Sequence, residues 1–207
     1  MIRSRFAVPA SLALAVLLSG CISVFPKTPP VQLYRLAAAA PPPATPAPQG
    51  LVIAKGPTVF PPDAAGDRLL TVSGTQAAFI SDARWLEPAS VMFDAAITDA
   101  FDQPGSPRLA GRGENLATGS TLRLDVRHFE TDYNHGMASA PTVVIAVQAT
   151  LIRTGDRTAV ADKLIEVRQP ADDNRVGPIV AAYNTAMAQV AGQVRDWTSA
   201  NAARIRP

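Results

Sequence analysis

Residues 141–168 read "PTVVIAVQATLIRTGDRTAVADKLIEVR". The first half, "PTVVIAVQATLIR", is apolar at most positions and rich in β-branched residues, the composition of a long and largely buried strand. Gly155-Asp156 then supplies turn residues and "TAVADKLIEVR" runs on, so the stretch predicts an antiparallel hairpin. Beyond it the period changes. Pro178 opens a helix in which Ile179, Tyr183, Met187, Val190, Val194 and Trp197 recur at intervals of three and four. One stripe of that helix must be buried.

The upstream sequence adds strands to the same sheet. "TLRLDVRHFE" places Leu122, Leu124 and Val126 on one side and Arg123, Asp125 and Arg127 on the other. That alternation marks a strand with one solvated face. Its phase breaks at His128 and Phe129, which predicts a bulge or the strand's end. Earlier still, "LVIAKGPTV" (51–59) is a strand closed by Pro61 and Pro62, and "DRLLTVSG" and "QAAFISD" are two more short ones. Between these groups, "ARWLEPASVMFDAAITDAFDQPG" has helical period. Pro88 suits its first turn, Met92, Phe93, Ala96, Ile97, Ala100 and Phe101 share one face, and Gln103-Pro104-Gly105 ends it. The expected fold class is therefore α+β: an antiparallel sheet with amphipathic helices packed on it, in a single domain spanning 51–200, with 201–207 as a C-terminal tail.

The first fifty residues are of another kind. Arg3 and Arg5 precede an almost unbroken apolar stretch from Phe6 to Leu18, too short to span a bilayer but right for a secretory signal peptide, 1–20. It ends on Leu18, Ser19, Gly20 and Cys21, which resembles the bacterial lipobox. Cys21 is the only cysteine in the chain. It has no disulfide partner and no companions for a zinc site. The lipobox resemblance implies a diacylglyceryl group on the Cys21 thiol, cleavage after Gly20 and acylation of the new amino terminus, palmitate being the expected kind of chain. The alternative is an ordinary signal peptide with an incidental cysteine. Two or three acyl chains hold a protein on a bilayer far more firmly than one. Ile22 rather than Asp at the next position favours, by the sorting rule of Gram-negative lipoproteins, the periplasmic face of the outer membrane over retention at the inner membrane.

Residues 21–50 hold the anchor, a tether and a short strand. "ISVFPKTPP" contains three prolines and stays extended, reaching at most about 30 Å at roughly 3 Å per residue. "VQLYRL" (Val31 to Leu36) alternates like a strand that joins the sheet, and "AAAAPPPATPAPQG" reads as an extended linker.

Composition excludes several functions. Of 19 Lys plus Arg, two (Arg3 and Arg5) leave with the signal peptide, so that 17 basic residues face 17 acidic ones. No basic cluster with interleaved aromatics exists, which argues against a nucleic-acid partner. His128 and His135 lack metal-ligand spacing and read as solvated residues around the polar turn "FETDYNHGMASAP". "GRGENL" has Leu116 where a dinucleotide fingerprint needs its third glycine; there is no GxSxG and no Walker A sequence. Asp172 and Asp173 fit helix capping, and Asp94 and Asp99 face away from the apolar stripe as solvated carboxylates. Trp85 and Trp197 read as packing anchors. No catalytic residue, metal site or cofactor is expected, apart from the lipid on Cys21.

The order of these pieces resembles one family. A lipobox, a "YRL" strand after the tether, "DR" entering a strand, "RWLEP" opening a helix, "LRLDVRHFE", "VVIAVQATLI" and a terminal helix with "AAYNTAMAQVAGQVRDW" are similar to the ABC-type transport auxiliary lipoproteins, the group that includes the paraquat-inducible protein C lipoprotein. The likeness runs from Tyr34 to Trp197; the long Ala/Pro insert after Leu36 departs from it. The resemblance implies a non-enzymatic accessory of a lipid-handling transport system with three further parts: a cytoplasmic ATPase, an inner-membrane ABC permease and a periplasmic MCE (mammalian cell entry) domain protein. The lipoprotein would dock the MCE protein at the outer membrane, and the ring shape that the resemblance implies for the MCE partner points to a homo-oligomer, with its interface on sheet edges or the loop between Phe129 and Thr142. Two other readings are an envelope-assembly lipoprotein that binds protein partners with no role in lipid transport, and a tethered hydrolase. The missing catalytic constellation weakens the last.

Overall fold

A computed structural model describes residues 30–36, 43, 50–111, 114, 118–202 and 205. The signal peptide, the lipobox Leu18-Ser19-Gly20 and Cys21 lie outside the described residues, as does most of the Ala/Pro-rich segment after Leu36. From Val31 onward the chain forms one compact unit.

The spine of that unit is a thirteen-residue strand, β6 (Ser120–Asp132). On one side it pairs along its whole length with β7 (Thr142–Arg153), from Ser120 opposite Arg153 to Asp132 opposite Thr142. β7 then pairs antiparallel with β8 (Ala159–Pro170), forming the hairpin expected around Gly155-Asp156. The other side of β6 is shared. Its first half takes β2 (Val52–Val59), with Ala54 beside Thr121 and Val59 beside Asp125. Its far end takes β3 (Arg68–Ser73), with Thr71 beside Thr131. Outside β2 lies the short β5 (Arg108–Ala110), and outside β3 come β4 (Gln76–Trp85) and then β1 (Gln32–Tyr34). Val31 to Leu36 thus does contribute a strand, which runs parallel to β4 with Tyr34 beside Trp85.

The α+β class stands, and within it the sheet is mixed. The long pairings β6–β7, β7–β8 and β3–β4 are antiparallel, as expected, while β1, β2, β3 and β5 make parallel contacts. The cause is connectivity. A parallel neighbour needs a crossover rather than a tight turn, and the stretch from β3 through α1 (Ala89–Phe101), which separates β2 from its parallel neighbour β5, supplies one.

The helices cover one face of the sheet. Met92, Phe93, Ile97, Ala100 and Phe101 are the buried stripe of α1, and Ile179, Tyr183, Met187, Val190 and Val194 that of α2 (Val176–Ala202). They meet the inward residues of β7 (Val143, Ile145, Val147, Ala149 and Leu151) and of β6 (Leu122, Leu124 and Val126), all buried. The phase break at His128 is a bulge: Val126 pairs with Val147 and His128 with Ala146, leaving Arg127 extra. Phe129 is thereby turned inward. β7 is buried on its second face too, at Val144 and Ala146. Their cross-strand neighbours are His128, Glu130, Glu166 and Arg168, whose long side chains lie beside them and shield them.

A chain poor in aromatics gathers five of them into one cluster. Phe93, Phe60, Phe129, Trp85 and Tyr183 touch in sequence, with ring centroids 5.0 to 6.4 Å apart. Trp85 is only 2% exposed and so is the packing anchor expected of it. Trp197 is half-buried against the same core.

Candidate docking surface

β6 continues beside β3 through Asp132, further than the "LRLDVRHFE" alternation indicated, and the Tyr133 amide still donates to the Val72 carbonyl at 2.8 Å. The loop to β7 therefore begins at Tyr133. Its base is buried: Asp132, Tyr133 and Pro141 are all inside, while 134–140 ("NHGMASA") are seven successive exposed residues.

Three other elements hold this loop, two through side chains and one through a backbone amide. The Asp132 carboxylate accepts from the Asn134 backbone amide at 2.9 Å and from Asn134 Nδ2 at 2.7 Å. It is itself held by Arg168 Nη2 of β8 at 2.8 Å. Asn134 Oδ1 accepts from the Gly74 amide in the β3–β4 turn at 3.3 Å. The Tyr133 hydroxyl donates to Asn174 Oδ1 at 2.7 Å, and Asn174 Nδ2 donates to the Met137 carbonyl at 2.6 Å. Asn174 stands at the entrance to α2, so the helix start and the loop are tied together. Within the loop the Gly136 amide donates to Tyr133 at 2.8 Å, and Gly136 adopts φ 93°, a left-handed conformation that glycine accepts without strain. Burial pushes the Tyr133 phenol above its usual pKa. At the tip sits Met137, 62% exposed.

The histidines do not converge. His128 lies on the outer face of β6 with Nδ1 3.1 Å from Glu130, and His135 is exposed on the loop. Among the described residues no three His, Cys, Asp or Glu side chains are grouped as a metal site. Gly111 and Glu114 of "GRGENL" fall between β5 and β6, two strands, and not at the strand-to-helix turn a dinucleotide site requires. Asp173 pairs with Arg175 Nε at 2.6 Å, ahead of the first residue of α2.

One carboxylate was misjudged from the sequence. Asp94 is not merely solvated: it accepts from Thr58 Oγ1 at 2.6 Å and pairs with Lys55 Nζ at 2.9 Å, tying α1 to the bulged middle of β2. The bulge leaves a recess of about 400 Å³ lined by Lys55, Gly56, Pro57, Thr58 and Asp94. Its one acid and one base pair with each other. A second recess, of about 360 Å³, lies between Leu36, Leu86 and the Met92 and Ala96 side of α1.

The described residues thus form a branched sheet with two helices on one face and an exposed loop braced at its base. Residues 34–195 match the family model of the ABC-type transport auxiliary lipoprotein component, and the chain belongs to that family. Among solved structures it is similar to protein XCC0632 from Xanthomonas campestris, assigned to the DUF330 family model, at 20% identity over 84% of this chain and 98% of that one, with a TM-score of 0.69. It is also similar to an uncharacterized protein at 16% identity over 83% of this chain and all of that one, with a TM-score of 0.60. At these identities the likeness is one of fold. Comparison with curated proteins finds no match.

Proposed function

We propose that the protein is a lipid-anchored, non-enzymatic auxiliary of an ABC-type transport system for lipids or other hydrophobic compounds, and that it docks a periplasmic MCE-domain protein at the outer membrane. The observation that carries this reading is the family match over 34–195, nearly all of the folded unit. The lipobox at Leu18 to Cys21 and the Ile22 that follows support the anchor and its membrane. In this reading the cytoplasmic ATPase supplies the energy, the permease and MCE protein carry the cargo, and the lipoprotein contributes an anchor, a tether and a binding surface, as one subunit of a homo-oligomer.

Affinity purification of the tagged, detergent-solubilised lipoprotein from its native envelope tests the assignment. Recovery of the MCE protein or the permease is expected. Recovery of envelope-assembly or peptidoglycan-synthesis proteins alone would replace the transport role with a structural one. The anchor has its own test: Cys21→Ala should abolish labelling by a fatty-acid probe and release the chain from the outer-membrane fraction, and persistent labelling would refute lipidation at Cys21.

A further inference from the structure

The loop between β6 and β7 is unusual in how much of the fold is committed to its shape. Seven consecutive exposed residues ordinarily belong to the most mobile part of a domain. Here the segment is tied to the β3–β4 turn through Gly74, to β8 through Asp132 and Arg168, and to the entrance of α2 through Asn174. None of 134–140 is buried, and the bracing does more than satisfy the buried Asp132 carboxylate and Tyr133 hydroxyl. It holds one conformation of the tip before any partner arrives, which lowers the ordering cost of binding.

Composition says what kind of partner. Apart from His135, "NHGMASA" carries no ionisable group, whereas the adjoining outer face of β6 and β8 holds Asp125, Arg127, Glu130, Glu166 and Arg168. The fully buried centres of protein interfaces are likewise depleted of charge and enriched in methionine. Small side chains on both sides leave Met137 standing clear, and its flexible thioether adapts to an irregular apolar cavity. A bilayer or an anionic ligand would instead select basic residues around such a tip, and the loop has no Lys or Arg.

We propose that residues 134–140 are a preorganised docking element, and that the Met137 side chain inserts into an uncharged apolar pocket of the MCE-domain partner. The inference rests on the transport reading above and adds the contact surface to it. Met137 is the anchor, and Asn174 is a positioning residue that acts through the Met137 carbonyl.

The test is binding of the full-length, acylated lipoprotein in detergent to a purified periplasmic MCE-domain protein of the same organism. Met137→Leu should bind within about threefold of wild type. Met137→Asp should bind at least tenfold more weakly with an unchanged melting temperature, since an exposed side chain contributes little to the fold. Asn174→Ala should weaken binding several-fold and speed amide exchange within 134–140. Leu164→Asp, on the charged face of β8, should leave affinity unaltered. Met137→Asp binding like wild type overturns the loop assignment while leaving the transport role intact, as does loss of binding confined to Leu164→Asp. A wild-type protein with no affinity for the MCE protein overturns both.

Discussion

The indole of Trp85 and the phenol ring of Tyr183 meet edge to face, their centroids 5.2 Å apart and their planes at 88°. That contact joins the end of β4 to α2, and Phe129 of β6 touches both rings. Trp85→Ala therefore removes a buried ring from the junction of three elements. The expected loss is about 3 to 5 kcal/mol, read by urea denaturation. An unchanged midpoint would place Trp85 on a binding surface instead.

Tyr183 gives the fold a dependence on alkaline pH. Its hydroxyl accepts from Thr131 Oγ1 at 3.2 Å, and burial raises its pKa above the ordinary 10.0. The unfolded chain therefore ionises at Tyr183 more readily than the folded one. The stabilisation is complete below pH 10 and is lost as pH climbs from there toward the folded value. Tyr183→Phe should cost about 1 kcal/mol at neutral pH, by orphaning the Thr131 hydroxyl, and should make stability less sensitive to pH above 10. A variant whose stability falls as steeply as wild type in that range contradicts the assignment.

Asp156 acts at the opposite end of the scale. Hydrogen bonds from the Thr158 hydroxyl and amide, with Arg153 nearby, lower its pKa from 3.8 to about 2. Its contribution to the β7–β8 turn is present above pH 3.8 and lost as pH falls toward 2. Carboxyl-resonance titration by NMR should give that low midpoint, and Thr158→Val should move it back up. A Thr158→Val protein with the same midpoint would show that another group sets it.

Local periodicity made both helices, the β7–β8 hairpin and the β6 bulge legible in the sequence, because each depends on residues near one another in the chain. The Arg127 bulge announced itself as a phase break between Val126 and Phe129. Forking of the sheet did not, since β2 and β3 choose the same edge of β6 through contacts far apart in sequence. β5, with three residues, is too short to show a period. Asp94 was assigned to the right helix face, but a helical wheel cannot show that Lys55 waits opposite it. "FETDYNHGMASAP" was visible as a polar turn and a candidate interface. Its bracing was not, because Gly74, Arg168 and Asn174 reach it from three separate elements.

Gly56 interrupts β2 for a steric reason. A Cβ there would stand 3.0 Å from the Leu122 carbonyl oxygen and 3.2 Å from Thr121 Cγ2, so the two strands must separate to admit it. Gly56→Ala should cost about 1 to 3 kcal/mol. Gly155→Ala, where a Cβ meets nothing within 4 Å, should stay within about 0.5 kcal/mol of wild type. Equal stabilities for the two variants would mean that β2 and β6 yield freely at the bulge.

Arg195 has no exposed surface, yet it is charged. Its Nε donates to Asp196 at 2.9 Å, Nη1 to the Gln103 side chain at 3.1 Å and Nη2 to the Pro43 carbonyl at 3.2 Å. The planar guanidinium thus links α2 to the segment that follows α1 and to a residue of the Ala/Pro-rich stretch that the sequence alone presented as a linker. A lysine has one donor group at a single point and cannot span these directions. Arg195→Lys should therefore be destabilised, by about 1 to 3 kcal/mol, because a fully buried ammonium cannot make all three bonds. The link to Gln103 can be isolated with a double-mutant cycle of Arg195→Met and Gln103→Leu. Residues that share a hydrogen bond couple by about 0.5 to 3 kcal/mol, whereas independent ones add. Coupling within that range is expected here, and strict additivity would show that Gln103 does not hold the guanidinium in solution.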